Sequence, residues 1–237
     1  MCFSATASLA ASALLVPSGI YCIKTALAKD TDYLPLAFTP LAFGIQQALE
    51  GVVWLGINSH NFHNVDIGSL GFLFFSHWFW LFWMPFLVWA CDRHQKIKQI
   101  CAIFVILGFV YGALLYLPLI ANANWLEIDA SSCSIAYRTK LIFDFPMYRE
   151  VASIIYGLIV GVPLLLASNR NINTFGALIL GSMLFSQIVF YYAFVSVWCF
   201  FAALLSIYII YILEREVKPV SATTLVIEQE RSHSHVR

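Results

Sequence analysis

Within long apolar runs, the polar side chains that could do chemistry are few and grouped. One run carries Gln46, Gln47 and Glu50, the next Ser76 and His77, a later one Ser186 and Gln187, and the last Ser196, Trp198 and Cys199. Another opens on Tyr148, Arg149 and Glu150. Ionisable and amide groups inside a membrane are costly unless partnered, so each is a candidate functional group. Spacings of three and four put Gln46, Gln47 and Glu50 on one helix face. A carboxyl in that setting needs a proton, a cation or a base beside it. His77 is its natural partner by depth, and Arg149 could reach down from above. Glu50 and His77 could then work as an acid–base pair. Alternatively Gln46, Gln47, Glu50, His77, Arg149, Glu150, Gln187 and Trp198 could line a site for a small solute. Buried Gln, Ser and His also serve as interhelical glue worth about 0.6–2 kcal/mol each. That plainer reading fits Ser76, Ser186, Ser196, Gln46 and Gln187 taken singly.

Other chemistries find less support. Phe74, Phe75, Trp78, Phe79, Trp80, Phe82, Trp83, Phe86 and Trp89 crowd one stretch. Such aromatic walls beside a carboxylate could hold an organic cation, although bulky packing explains them as well. A metal set would collect His60 and His63, spaced three apart in the loop after the second run, with His77 and Glu50 or a cysteine. No HExxH, paired CxxC or in-span HxxxH accompanies them, so neither a metal nor another cofactor is expected. P-loop, GxGxxG and GxSxG patterns are absent. The last run has no lysine for a retinal Schiff base.

The elements that must position these groups follow from composition. Of 237 residues, 61% are hydrophobic, 16% aromatic and only 11% charged, with a mean hydropathy of +0.81. Soluble domains carry about 25% charged residues, so a soluble enzyme, a disordered chain and a nucleic-acid binder are excluded. Thirteen Lys+Arg balance thirteen Asp+Glu, leaving no basic surface for phosphate. Stretches of about 20 apolar residues suffice to cross a bilayer as helices. Seven qualify, at 7–28, 34–57, 68–91, 97–120, 147–168, 172–192 and 193–213. The expectation is an all-α polytopic membrane protein, a seven-helix bundle over 1–213, since lipid leaves backbone polar groups no other partner. The first span has no basic residue before it, and Lys24 and Lys29 follow it, which is the reverse of a secretory leader.

Basic residues set the orientation. With the N-terminus outside, the inner segments hold Lys24, Lys29, Arg93, Lys96, Lys98, Arg170, Arg215 and Lys218, and the outer ones only Arg138, Lys140 and Arg149. The N-terminus is therefore expected outside and the C-terminus inside. Segment 121–146 is an outer loop long enough to fold over the bundle as a lid, and 214–237 is a mobile polar tail. Glu50 and His77 fall at similar depth in the outer half, as do the amides and serines of the later spans. The inner halves are plain apolar side chains. A polar pocket or network beneath the outer face is expected. Cys2, Cys133 and Cys199 belong to the outer side, where a Cys2–Cys133 disulfide would tie the N-terminus to the long loop. Gly108/Gly112 and Gly157/Gly161 are GxxxG pairs that let helices approach within the bundle or between copies of the chain.

The opening Met1-Cys2-Phe3-Ser4-Ala5-Thr6-Ala7-Ser8 resembles the start of an uncharacterised bacterial family of multi-pass membrane proteins. Gln46-Gln47 followed by Glu50-Gly51 and Trp54, and Trp198-Cys199-Phe200, resemble further signatures of that family. The resemblance implies a bacterial inner-membrane protein, transfers no chemistry, and draws attention to Cys2, Ser4 and Ser8. Three functions stay open: binding of a small solute as a transporter or sensor, an intramembrane enzyme using Glu50 and His77, and a structural or assembly role. The partners expected are the lipid bilayer, a small-molecule ligand and a second copy of the chain, with no nucleic acid.

Overall fold

Small residues bring the first two helices together. In the computed structural model, which describes residues 4–129, 135–139 and 146–216, α1 (Ala5–Lys29) and α2 (Leu34–Asn58) form an antiparallel pair with the most extensive contact in the chain. Gly44 makes this possible, since a Cβ there would sit 2.9 Å from Val16 Cγ2 and 3.0 Å from the Val16 backbone nitrogen. Ser4 caps α1 by accepting from the Ala7 N–H at 3.2 Å. Asp30 ends it, and its carboxylate caps the Thr31–Tyr33 turn that leads into α2.

The third expected span is a composite. It begins earlier than the apolar pattern suggests, with α3 (Phe62–Leu73), passes through a π-helical segment at Phe74–Phe79, and ends as α4 (Trp80–Cys91). His63 therefore lies in the first turn of α3 rather than in a loop, while His60 sits in the connection with φ 54°. Asn61 caps α3 through the Asn64 N–H at 3.2 Å, which pulls the helix start forward. Next comes α5 (Gln95–Ala121), and its GxxxG pair is spent inside the bundle. A Cβ on Gly112 would lie 2.9 Å from Trp78 Cα, and Gly108 meets the Leu81 carbonyl.

In segment 121–146 the described residues form an antiparallel hairpin, a small departure from an all-α chain. It pairs β1 (Leu126–Asp129) with β2 (Ala136–Thr139), and Glu127 stands opposite Arg138. Ile135 and Tyr137 pack among Val53, Trp54 and Val65, and the Tyr137 ring stacks on Phe72 at 4.9 Å. The hairpin thus closes the bundle end where α2 finishes and α3 begins.

Three more helical stretches complete the bundle: α6 (Pro146–Leu166), α7 (Arg170–Val189) and the pair α8 (Phe194–Leu205) with α9 (Tyr208–Glu216). The last span is broken at Ser206, whose hydroxyl turns back to the Ala203 carbonyl at 2.6 Å. Gly157 and Gly161 of α6 receive Met183 and Leu180 of α7. Internal prolines at 17, 40, 85, 118 and 163 are tolerated, as membrane helices allow. Among the described residues, six helical stretches are long and apolar enough to cross a membrane. Ile103, Ile106, Val110, Leu114 and Leu117 lie exposed along α5, as a lipid-facing surface would.

Candidate functional site

Glu50 lies where α1, α2 and α8 meet, and it is wholly buried. Its Oε1 accepts from Ser196 Oγ of α8 at 2.5 Å, and its Oε2 from Ser8 Oγ of α1 at 3.4 Å. Gly51, the next residue, lets Leu9 of α1 press against α2, which brings Ser8 within reach. One turn before the carboxyl, the Gln46 Oε1 accepts from the Trp80 indole at 2.7 Å, and that ring stacks on Phe43 at 3.8 Å. The Gln47 amide faces the Glu50 carboxylate, yet neither of its polar atoms forms a hydrogen bond, and Gln46 Nε2 is also unpartnered. Buried polar atoms left like this are uncommon and call for an explanation such as a water or an ion. Cys199, one turn beyond Ser196, lies beside both Glu50 and Gln46. Among the described residues, no Lys, Arg or His forms an ion pair with Glu50.

His77 occupies a second centre inside the π-helical segment, a geometry often found at functional sites. Its Nδ1 shares a 3.0 Å hydrogen bond with Ser76 Oγ, and the Tyr156 hydroxyl of α6 donates to the Ser76 carbonyl at 2.7 Å. Tyr111 of α5 donates to the Ala152 carbonyl at 3.2 Å, joining α5 to α6 beside it. Glu50 and His77 share no hydrogen bond. Cys199 lies within electrostatic reach of both Glu50 and Tyr156. No group of three His, Cys, Asp or Glu among the described residues could hold a metal ion.

The remaining expected residues scatter around these centres. The Trp198 indole donates to the Ile179 carbonyl at 3.3 Å and meets Tyr156 edge-on, fastening α8 to α7 and α6. Ser186 is buried and Gln187 half-buried on α7, with Gln187 Oε1 unpartnered. Arg149 and Glu150 lie in the first turn of α6, but their side chains fall outside the described residues, as do Cys2 and Cys133. The aromatic run is packing: Trp83 stacks on Phe79 at 4.9 Å and donates to Thr39 at 3.4 Å.

Sequence reasoning missed a polar clasp at the opposite end of the bundle. Asp92 accepts from the Ser168 N–H at 2.7 Å, the Ser168 hydroxyl at 3.0 Å and the His94 N–H at 2.8 Å. Burial alone would push this carboxyl up, but those hydrogen bonds outweigh it and hold the group below its ordinary range. Tyr21 and Lys29 both bind Glu214, tying α1 to α9 at the same end. A helix-end Asp reads from sequence as a solvated loop residue, and nothing local marks a partner 76 positions away.

Fold and site together define a helical bundle of membrane-spanning dimensions with a buried carboxyl at the junction of three helices. The chain belongs to the family described as "Family of unknown function (DUF6629)", whose model matches residues 1–224. The expectation of an uncharacterised family therefore holds. No curated protein and no solved structure matches the chain.

Proposed function

We propose that the chain is a seven-span protein of the bacterial cell membrane that binds a small solute at Glu50, as a transporter or sensor. The observation that carries this reading is the wholly buried Glu50, held among the described residues by two hydroxyls and faced by the unpartnered Gln47 amide. A polar site built at that cost in a membrane interior is a site for something. Helix α6, of 21 residues, supplies the seventh span. Lys29, Arg93, Lys96, Lys98, Arg170 and Arg215 gather at the bundle end opposite the hairpin, and the hairpin end holds Arg138 and, in the first turn of α6, Arg149. That distribution supports N-terminus outside and C-terminus inside. A disulfide between Cys2 and Cys133 belongs to the same reading, because the nearby Ala5 and Ile135 share one apolar cluster.

The test is a melting experiment on the detergent-purified chain against small polar solutes and salts, beside Glu50→Gln. A rise in Tm that Glu50→Gln abolishes supports binding. An unchanged Tm across the panel, with Glu50→Gln melting lower, sinks it and favours a structural role. That second reading has its own support, since Ser8 and Ser196 clip three helices to one carboxylate. The enzyme reading loses ground because Glu50 and His77 make no direct hydrogen bond.

A further inference from the structure

We infer that the Glu50 site takes one small monovalent cation, held by the Glu50 carboxylate, the Gln47 amide oxygen and the hydroxyl oxygens of Ser8 and Ser196. The inference rests on the solute-binding reading and names its ligand.

Charge argues for a single positive unit. Glu50 is one carboxylate with no ion-pair partner among the described residues, and the other described polar groups against it, two hydroxyls, an amide and a thiol, are neutral. Divalent ions such as calcium gather several carboxylates, and among the described residues no such cluster exists. Donor chemistry argues for a hard cation, because the carboxylate, the two hydroxyls and, once turned, the amide all offer oxygens. Size argues for a bare ion over an organic ammonium. Ser8, Gln47, Glu50 and Ser196 are all at 0% exposure, so no water-sized void opens onto them.

The rearrangement needed is local. Each serine hydroxyl now donates to the carboxylate, and rotation about one torsion turns a lone pair toward an ion instead. Gln47 has no hydrogen bond to break on either amide atom, so its carbonyl is free to turn inward. The unpartnered amide thereby acquires a purpose.

The experiment uses the full chain in lipid nanodiscs at fixed pH and ionic strength, melted in sodium, potassium, choline or calcium chloride. Sodium or potassium should raise Tm over choline, with a stabilisation that grows with the logarithm of cation concentration once the site is filled. Glu50→Gln and Gln47→Ala should both remove that rise. If Glu50→Gln does not fold, Gln47→Ala and Ser8→Ala carry the comparison. Identical melting in sodium, potassium and choline overturns the inference, as does a preference for calcium. If organic solutes still stabilise in a Glu50-dependent way, the binding reading survives and only the cation falls. If nothing stabilises, both fall.

Discussion

Ser196 and Ser8 hold the two oxygens of Glu50 unequally, at 2.5 Å and 3.4 Å. Ser196→Ala leaves a buried acceptor without its stronger donor and should cost about 1–3 kcal/mol, whereas Ser8→Ala should cost less. Unfolding of each variant in detergent, compared with the native chain, measures the order. Asp92 allows a prediction in pH. Its folded pKa is depressed, so its contribution to stability is complete above the ordinary carboxylate range and is lost as pH falls through the lower folded value. Asp92→Asn should therefore flatten part of the acid-side loss of Tm, and an unchanged acid limb would contradict the clasp. Glu50 was legible because a carboxyl in an apolar run is an outlier in composition. Ser8 came to notice only through a resemblance, and Tyr156 not at all, since a tyrosine is ordinary in so aromatic a chain.

Helices were the readable elements, because unbroken apolar length leaves them no alternative in lipid. Their interruptions were not readable. Periodicity marks a buried face only when polar residues mark the other, and between Leu73 and Cys91 only Ser76 and His77 break the apolar run. The π-helical register and the break at Ser206 therefore left no pattern. Packing between elements is testable at the glycines. Gly108→Leu should drive a side chain into the Leu81 backbone and part α5 from α4, a loss beyond the ~1–3 kcal/mol of ordinary overpacking. Gly181→Ala is the matched control: nothing lies within 4 Å of its added Cβ. It should be neutral, or stabilising by up to about 1 kcal/mol through helix propensity. Equal melting of the two variants would refute the close α4–α5 approach.

For the whole molecule, the two ends differ in kind. One is closed by an apolar seat for a hairpin, the other by hydrogen bonds between helix ends. Orientation is measurable by thiol labelling in intact cells. Asp66→Cys, exposed at the hairpin end, should react without permeabilisation, and Lys96→Cys at the other end only after it. The reverse pattern would invert the topology. Non-reducing peptide mapping should find the Cys2 and Cys133 peptides joined, and free alkylation of both without reductant would remove the disulfide. The π-helical segment also acts as a phase adjuster between the halves of one span. An α-helix advances about 100° per residue and a π segment takes up one extra residue by winding less, so drawing Phe74–Phe79 into α geometry with no residue removed would turn everything beyond it by about one residue's step. The indoles of Trp80 and Trp83 would swing away from Gln46 and Thr39 together. One residue's worth of rotation, stored beside His77, sets the azimuth at which the aromatic half of this span meets the carboxyl-bearing helix.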